Sequence, residues 1–293
     1  MLNNPYQGMS YEVYAELCKN LNAVRSSMVK SIKKSPRHLK WEMDHPREES
    51  DALRIGKNVH LMFENTEEFQ RRLVHVPVFV GKTKDGKDST RSKEAAEKKA
   101  DFLAGLPPDA IIASDDEMDM YAGILNSMRE KKFVNRLLKD SIKEVSLFVE
   151  DPETGLTLAC RPDFITNLGD CCDLKTTRNA SHSAFRSAIF SDSPSSPFYI
   201  LQAAHYAYCM KIAGLGDGKR FTFVAIEKEG PHDFAVYTVD EGHLDIGERW
   251  RKKLTKTYAD CLQSGRWPGY VDGAQSFDLP AFASLPPLEE DEI

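Results

Sequence analysis

Two aspartates and a lysine lie close together in the middle of the chain. Arg161-Pro162-Asp163 is followed, after nine residues, by Asp173-Leu174-Lys175. If the second group belongs to a strand, Asp173 and Lys175 point to one side of it and Leu174 points to the other. Carboxylate oxygens are the ligands that Mg²⁺ prefers, and a neighbouring lysine can orient an attacking water. The spacing therefore predicts the chemistry of phosphodiester hydrolysis, although an Asp-x-Lys sequence by itself is common on protein surfaces.

The residues around this group predict three short strands. Lys143–Glu150, Leu156–Thr166 and Cys171–Thr176 are runs separated by turn sequences, and the first two are typical of a hairpin. Asp163 is expected to end the second strand, next to the turn that leads into the third. The two carboxylates and the ammonium should then meet at one edge of a sheet.

Helices and further strands are predicted on both sides of this region. Residues 10–45 should form two helices, the second interrupted at Ser35-Pro36, because the residue before a proline disfavours helix. Further helices are predicted at Asp51–Asn65, Ser89–Gly105, Asp115–Lys131, Ser181–Phe190, Pro197–Ala213 and Glu241–Ser264, and strands at Leu73–Val80, Arg220–Glu227 and Phe234–Val239.

The chain shows neither repeats nor a low-complexity linker, so we expect one α/β domain over residues 1–270. Its helical N-terminal part should cover about 10–65 and its core about 140–240, and residues 271–293 should form an extended, partly disordered tail. No run approaches the roughly 18 apolar residues of a membrane span, and the N-terminus has no signal-peptide pattern. A cytoplasmic protein without a membrane partner is the expectation.

The six cysteines are scattered and none forms a Cys-x-x-Cys pair. Zinc and iron–sulfur sites need clustered thiolates, so we expect buried, reduced, structural thiols. The formal net charge of −6 argues against indiscriminate coating of nucleic acid. An acidic surface can still coexist with a basic groove.

The motif Pro162-Asp163…Asp173-Leu174-Lys175 resembles the core of the PD-(D/E)xK nuclease superfamily. Accessory motifs resemble its exodeoxyribonuclease VIII (RecE-like) and RecB-type branches. Gly56–His60 is similar to the helix that presents a metal-site histidine there, and Glu144 lies where those families place a glutamate. Gln202 and Tyr206 match a Gln-x-x-x-Tyr helix, and Ser26–His38 resembles an N-terminal helix of the same branch. The resemblance covers roughly residues 9–270.

This resemblance implies a central mixed β-sheet flanked by helices, the restriction-endonuclease-like core. It implies that Asp163, Asp173 and the Leu174 carbonyl hold Mg²⁺, for which Mn²⁺ can substitute, while His60 and Glu144 assist or hold a second ion. Lys175 would position the attacking water. Gln202 and Tyr206 would lie near the lysine and the DNA.

The implied activity is stepwise 5′→3′ digestion of linear double-stranded DNA, which leaves a 3′ single strand for recombination. Members of the branch are ring-like homo-oligomers, often beside a single-strand annealing protein and encoded by phages or prophages. The alternatives are a structure- or sequence-specific endonuclease of the same fold, an inactive DNA-binding recombination protein, and a hydrolase of small phosphate esters.

The stretch from Lys19 to Lys40 contains seven basic residues and no acidic one. It is either a solvated helix face or a DNA-binding surface. The candidate phosphate contacts are Lys30, Lys33, Lys34 and Arg37, with Arg161 and Arg178 nearer the motif.

Each accessory residue also has a structural interpretation. His60 could be a core histidine beside an apolar stripe, Glu144 could be a solvated strand residue with Glu150 as its competitor, and Gln202 and Tyr206 could cap a core. Gly56 is expected to let its helix approach the sheet closely. Two departures from the family pattern stand out: the cysteines before Asp173 replace apolar residues, and the cysteine pattern of the iron–sulfur members is missing.

Overall fold

The computed structural model describes residues 5–45, 50–139, 141–167, 169–191, 193, 196–274 and 276, so most of the predicted tail at 271–293 lies outside the described residues. The helices are α1 (Tyr11–Asn20), α2 (Ser26–Lys34), α3 (Pro36–Asp44), α4 (Asp51–Glu64), α5 (Thr66–Arg72), α6 (Lys93–Ala104), α7 (Asp115–Glu130), α8 (Lys132–Lys139), α9 (His182–Phe190), α10 (Tyr199–Ile212) and α11 (Glu241–Ser264). The strands are β1 (Leu73–His75), β2 (Gly81–Lys82), β3 (Asp88–Ser89), β4 (Ile111–Ala113), β5 (Ile142–Lys143), β6 (Leu147–Glu150), β7 (Thr157–Cys160), β8 (Phe164–Ile165), β9 (Cys171–Thr177), β10 (Phe221–Glu227) and β11 (Phe234–Val239).

A mixed sheet lies at the centre of the described chain, with its strands in the order β11-β10-β9-β8-β5. Strand β9 is parallel to β10 and antiparallel to β8, and its register with β10 places Asp173 opposite Phe223 and Lys175 opposite Ala225. The predicted α/β class with a central mixed sheet is confirmed.

Both faces of this sheet are covered, which explains why β10 is apolar almost throughout. Phe221 and Phe223 belong to a core that also contains residues of α9, α10 and α11. Val224 and Ile226 alternate with them and join Leu174 in a second core beneath α4 and α7. A strand buried on both faces reads as a continuous hydrophobic run.

The predicted hairpin is present as β6 and β7, which form a sheet of their own. Phe148 of β6 packs with Tyr14 and Cys18 of α1 in a third cluster. The N-terminal helices are thereby attached to the hairpin.

Residues 10–45 form three helices, because Ser35 and Pro36 separate α2 from α3 completely. Ser35 is the N-cap of α3, and its hydroxyl accepts a hydrogen bond from the His38 backbone N–H. Pro36 occupies the first helical position, where its missing N–H is not needed. The strand predicted at Leu73–Val80 is shorter, ending at His75.

Two of the predicted central strands are each split in two. The run at Lys143–Glu150 breaks at Glu144, whose φ of 50° lies in the left-handed region. The run at Leu156–Thr166 breaks at residues 161–163, so Asp163 precedes β8 instead of ending a strand, which corrects the prediction. The breaks arise because β5 and β8 belong to the central sheet whereas β6 and β7 belong to the hairpin.

All six cysteines lie in the described part of the chain, and all are buried and unbridged, as predicted. Among the described helices, none has the length and apolar character that crossing a lipid bilayer requires.

Candidate active site

Strand β9 places Asp173 and Lys175 on the same face of the sheet, as its alternation predicts. Their side chains form an ion pair, in which the Asp173 carboxylate is 3% exposed and the Lys175 side chain 16% exposed. The Lys175 ammonium also lies 5.1 Å from the centre of the Tyr199 ring. Burial lowers the pKa of Lys175, but the negative charges of Asp173 and Asp163 outweigh it and raise the pKa above its usual value. The lysine is therefore a fixed, charged donor.

Asp163 reaches the same strand from the chain break before β8. Its Oδ2 atom accepts a hydrogen bond from the Leu174 backbone N–H at 2.7 Å. Its Oδ1 atom lies 3.1 Å from Nδ1 of His60. The other imidazole nitrogen of His60, Nε2, lies 3.0 Å from the Leu174 carbonyl oxygen. The imidazole thus bridges a carboxylate and a backbone carbonyl, which are both acceptors.

This arrangement favours the charged imidazole. Burial lowers the pKa of His60, but the charges of Asp163 and Asp173 and the Asp163 hydrogen bond outweigh burial and raise it from 6.5 to about 9. For Asp163, burial raises the pKa, yet the neighbouring His60 and Lys175 outweigh that effect and hold it below its usual value. Without a cation, His60 supplies the positive charge that Asp163 needs.

Glu144 joins the group through an uncommon backbone conformation. At a φ of 50° its backbone N–H donates to the Asp163 carbonyl at 3.0 Å. A left-handed conformation in a residue other than glycine costs free energy and is concentrated at functional sites. The Glu144 side chain forms an ion pair with Arg161. Burial and the neighbouring Asp163 raise the pKa of Glu144 to about 7, against the opposing effect of Arg161.

The donor atoms of His60, Glu144 and Asp163 suit a divalent cation. One ligand atom from each residue lies within 4.8 Å of the other two. Two carboxylates and an imidazole, with the Leu174 carbonyl beside them, match the oxygen-rich sets that hold Mg²⁺ or Mn²⁺. The pKa values of the Glu144 and Asp173 carboxyl groups are both raised, first by burial and then by the charge of Asp163, so a bound cation would stabilise their ionised forms. The residues therefore fit the implied ion.

Helix α10 contacts the Asp173 carboxylate through the side chain of Gln202. The Gln202 side-chain amide donates to Asp173 Oδ1 at 2.7 Å. The Tyr206 hydroxyl, one turn later, shares a hydrogen bond with Gln202, and the residue is partly buried. Burial and the Asp163 charge raise the pKa of Asp173 to about 6, although Lys175 opposes this. The structure thus brings Gln202 and Tyr206 to the lysine side of the site.

The predicted phosphate contacts have different surroundings. Lys30, Lys34 and Arg37 are exposed on α2 and α3. The Lys33 ammonium, in contrast, lies 4.9 Å from the Phe198 ring centre and 5.3 Å from that of Trp250. Lys33 is therefore part of the packing between α2 and the helices beneath it.

The two arginines near the motif also differ. Arg161 is largely buried, pairs with Glu144 and donates to Ser146 Oγ at 3.3 Å. Arg178 follows β9, has an 84% exposed side chain and lies 3.5 Å from Glu229. Arg161 is part of the site, whereas Arg178 is at its edge.

Two residues of the site were not identified from the sequence. Tyr199, whose ring faces Lys175, lies three and seven residues before Gln202 and Tyr206, so helical spacing alone places it on their face. Glu64 lies four residues after His60 at the end of α4, and burial raises its pKa. The same spacing rule could have found it.

The expected role of Gly56 is wrong. A Cβ atom built at Gly56 would lie 3.8 Å from Thr176 Oγ1, an ordinary contact, with no other heavy atom of the described chain outside its own helix within 4 Å. The packing of α4 against β9 does not require a glycine there.

Comparison with solved structures gives a similar fold. The structure of a protein from Eubacterium rectale, described as a "Putative exonuclease", aligns over 89% of this chain and 88% of that chain with a TM-score of 0.54 and 15% sequence identity. A second structure, that of SSO0001, aligns over 79% of this chain and 84% of that chain at 13% identity, but its TM-score of 0.25 supports no argument. No curated protein matches the sequence.

The family comparison covers most of the chain. Residues 25–280 match the model of a family described as a PDDEXK-like domain of unknown function, DUF3799. The matched range contains every residue of the site described above. This chain belongs to that PDDEXK-like family, and so to the PD-(D/E)xK nuclease superfamily.

Proposed function

We propose that this protein is a Mg²⁺-dependent exodeoxyribonuclease that digests linear double-stranded DNA. The observation that carries the proposal is the convergence of Asp163, Asp173, Lys175, His60 and Glu144 at the start of β9. These residues come from α4, β9 and two chain breaks, so neighbouring sequence does not explain why they meet. Membership of a PDDEXK-like family supports the same chemistry.

Asp163, His60, Glu144 and the Leu174 carbonyl would hold the ion, and Asp173 would join them on the lysine side. A bound Mg²⁺ or Mn²⁺ supplies Lewis-acid stabilisation of the phosphoryl oxygens and lowers the pKa of the attacking water. Whether one ion or two bind depends on whether Glu144 shares the first ion or holds its own.

The chain's own residues position the reactants. The Lys175 ammonium, held by Asp173 and the Tyr199 ring, donates a hydrogen bond to the attacking water. The water oxygen attacks the phosphorus and gives up a proton to the surrounding water, the bond from phosphorus to the 3′ oxygen breaks, and the leaving oxygen takes up a proton from the surrounding water. The products are a 3′ hydroxyl and a 5′ phosphate. Gln202, in turn, fixes the Asp173 carboxylate so that the lysine keeps its direction.

The mode of digestion is the finer part of the proposal. We propose 5′→3′ digestion that leaves 3′ single-stranded overhangs for recombination. The active form is a ring-like homo-oligomer that acts with a single-strand annealing protein. Both would be encoded by a phage or prophage and act in the bacterial cytoplasm. The motif resemblance supports this, and the description of the Eubacterium rectale protein agrees with exonuclease chemistry.

One experiment tests both levels. The purified protein is incubated with linear and covalently closed circular duplexes, labelled at either end where ends exist, in Mg²⁺ or EDTA. We expect loss of the 5′-labelled strand from linear DNA in Mg²⁺ alone, with circles intact. Cleavage of circles would identify an endonuclease. If wild type and Asp173→Ala behave alike in every DNA assay, the protein is not a nuclease at this site.

A further inference from the structure

Helix α4, which carries His60, presents backbone without a side chain at Gly56, next to the site. Gly56 lies four residues before His60 on the same helical face, about 6 Å along the axis. It is in the interior of α4, where glycine is less favourable than alanine. Since the described packing leaves room for a Cβ atom, the folded chain does not explain the glycine.

An exposed ring and an exposed cation lie beside this surface. Lys57 follows Gly56, is exposed, and places its ammonium 5.6 Å from the ring centre of Tyr11 on α1. Tyr11 is 51% exposed although it is a large aromatic residue. One turn later, Tyr14 is buried with its ring 6.4 Å from that of Tyr11.

The face of α1 that carries Tyr11 and Tyr14 extends to the candidate cation site formed by His60, Glu144 and Asp163. The Arg161 guanidinium lies 5.8 Å from the Tyr14 ring centre and pairs with Glu144. Glu12, in the first turn of α1, interacts electrostatically with both Arg161 and Lys57. Tyr11, Lys57 and Gly56 therefore border the group formed by His60, Glu144 and Asp163.

We propose that Gly56, Lys57 and Tyr11 form a binding subsite for a nucleotide flanking the scissile phosphate of a DNA strand. The sugar–phosphate backbone passes over the bare helix at Gly56, a phosphate oxygen accepts from Lys57, and a base contacts the Tyr11 ring. The distance of about 6 Å from Gly56 to His60 corresponds to one to two nucleotides, since each nucleotide rises about 3.4 Å along the axis of a DNA duplex. Aromatic stacking is tolerant of sequence because every base has a flat face. This inference rests on the proposed function.

Gly56→Ala is the decisive variant, because helix propensity predicts a more stable protein whereas a bound DNA strand predicts a less active one. The fold alone predicts a gain in stability, with Tm higher by about 2 °C, since alanine is the better helix former and meets no clash. A strand lying on Gly56 predicts that kcat/KM on linear duplex falls about 10- to 100-fold and that oligonucleotide binding in Ca²⁺ weakens. Mn²⁺ affinity should be unchanged.

Gly242→Ala in the first turn of α11 is the matched control, because an added Cβ there would lie 3.7 Å from Asp240 Oδ1. We expect wild-type kcat/KM for it. Tyr11→Phe should retain oligonucleotide binding, whereas Tyr11→Ala should weaken it about 5- to 100-fold. Lys57→Gln should weaken binding and reduce its salt dependence.

The outcomes separate this inference from the proposed function. If the wild type hydrolyses DNA and Gly56→Ala matches it in kcat/KM and oligonucleotide binding, the subsite is wrong and the nuclease assignment stands. A wild type that binds DNA without hydrolysing it overturns the proposed function, and the binding measurements then decide the subsite. A wild type that does neither overturns both.

Discussion

The Asp173 carboxylate and the Lys175 ammonium form an ion pair in which neither partner has much access to water. Their side chains are 3% and 16% exposed. Burying two charges costs several kcal/mol for each ion, which their attraction must offset. Gln202 and Tyr199 contribute further contacts to the carboxylate and the ammonium respectively. The burial of this ion pair is therefore better explained by a role in catalysis than by a contribution to folding stability.

Lys175→Met should destabilise the protein, because it leaves the Asp173 carboxylate buried without its cation. We expect a loss of about 3 kcal/mol in the free energy of unfolding. Asp173→Asn should also destabilise it by leaving the ammonium unpaired. The double variant removes both charges, so it should be more stable than either single variant, and all three should lack nuclease activity. Urea unfolding in EDTA measures the three stabilities.

Asp173→Asn and Lys175→Met combined provide the control for folding, since a stable but inactive double variant separates catalysis from structure. Destabilisation of the double variant by the sum of the two single values would show that the ion pair contributes nothing.

The geometry of this pair could be predicted from the sequence, because a strand alternates its side chains with a period of two. The meeting of Gln202 with Asp173 needed the family resemblance, since a helix following a strand can dock in several ways. Neither argument located the breaks at Glu144 and Asp163. The positions of these breaks depend on which sheet each segment joins, and that is decided by contacts between residues that are far apart in the sequence.

Gly56 shows a different limit of sequence reasoning. A glycine in a helix suggests close packing, but the gap between α4 and β9 is set by every side chain along both elements. Only the structure shows that an added Cβ would meet Thr176 at an ordinary distance. Tyr199, in contrast, can be placed on the face of Gln202 by helical spacing, although the family motif does not include it.

The metal-free protein should lose stability as the pH rises from 6.5 to about 9. The pKa of His60 is raised in the folded state to about 9 from 6.5, so its contribution is complete below pH 6.5 and is lost as the pH rises through 9. The shift corresponds to a loss on the order of 3 kcal/mol. Thermal unfolding in EDTA across this range measures it. His60→Asn should remove most of the dependence, and an unchanged pH profile in that variant would contradict the assignment.

Divalent cations should show the opposite pH dependence. Ligation requires a neutral imidazole, so each ion bound displaces a proton from His60 below pH 9. We expect Mn²⁺ affinity to rise about tenfold per pH unit between pH 7 and 9. Calorimetry in buffers of different ionisation enthalpy counts the released protons. Binding without proton release at pH 7.5 would mean that His60 is not a ligand.

Glu144→Gln tests whether this carboxylate holds the ion or only pairs with Arg161. The amide keeps the shape of the side chain but removes its charge. If Glu144 is a ligand, Mn²⁺ affinity should fall about 10- to 100-fold, a loss typical of residues that support a metal site. Arg161→Gln is the matched control, since it removes the partner and leaves the carboxylate. An affinity loss in the arginine variant alone would restrict Glu144 to a structural role.

Lys34→Ala and Lys33→Ala should separate DNA contact from packing on the same helix. Lys34 is exposed on α2, so its removal should weaken binding to all duplex sequences and reduce the salt slope by about 1, with Tm unchanged. The Lys33 ammonium lies over the rings of Phe198 and Trp250. Its removal should lower stability by about 1 kcal/mol, the scale of a cation–π contact, and leave the salt slope alone. Fluorescence anisotropy at several salt concentrations distinguishes the two. Equal salt slopes for wild type and Lys34→Ala would identify the basic stretch as a solvated helix face, because a phosphate contact must release counterions.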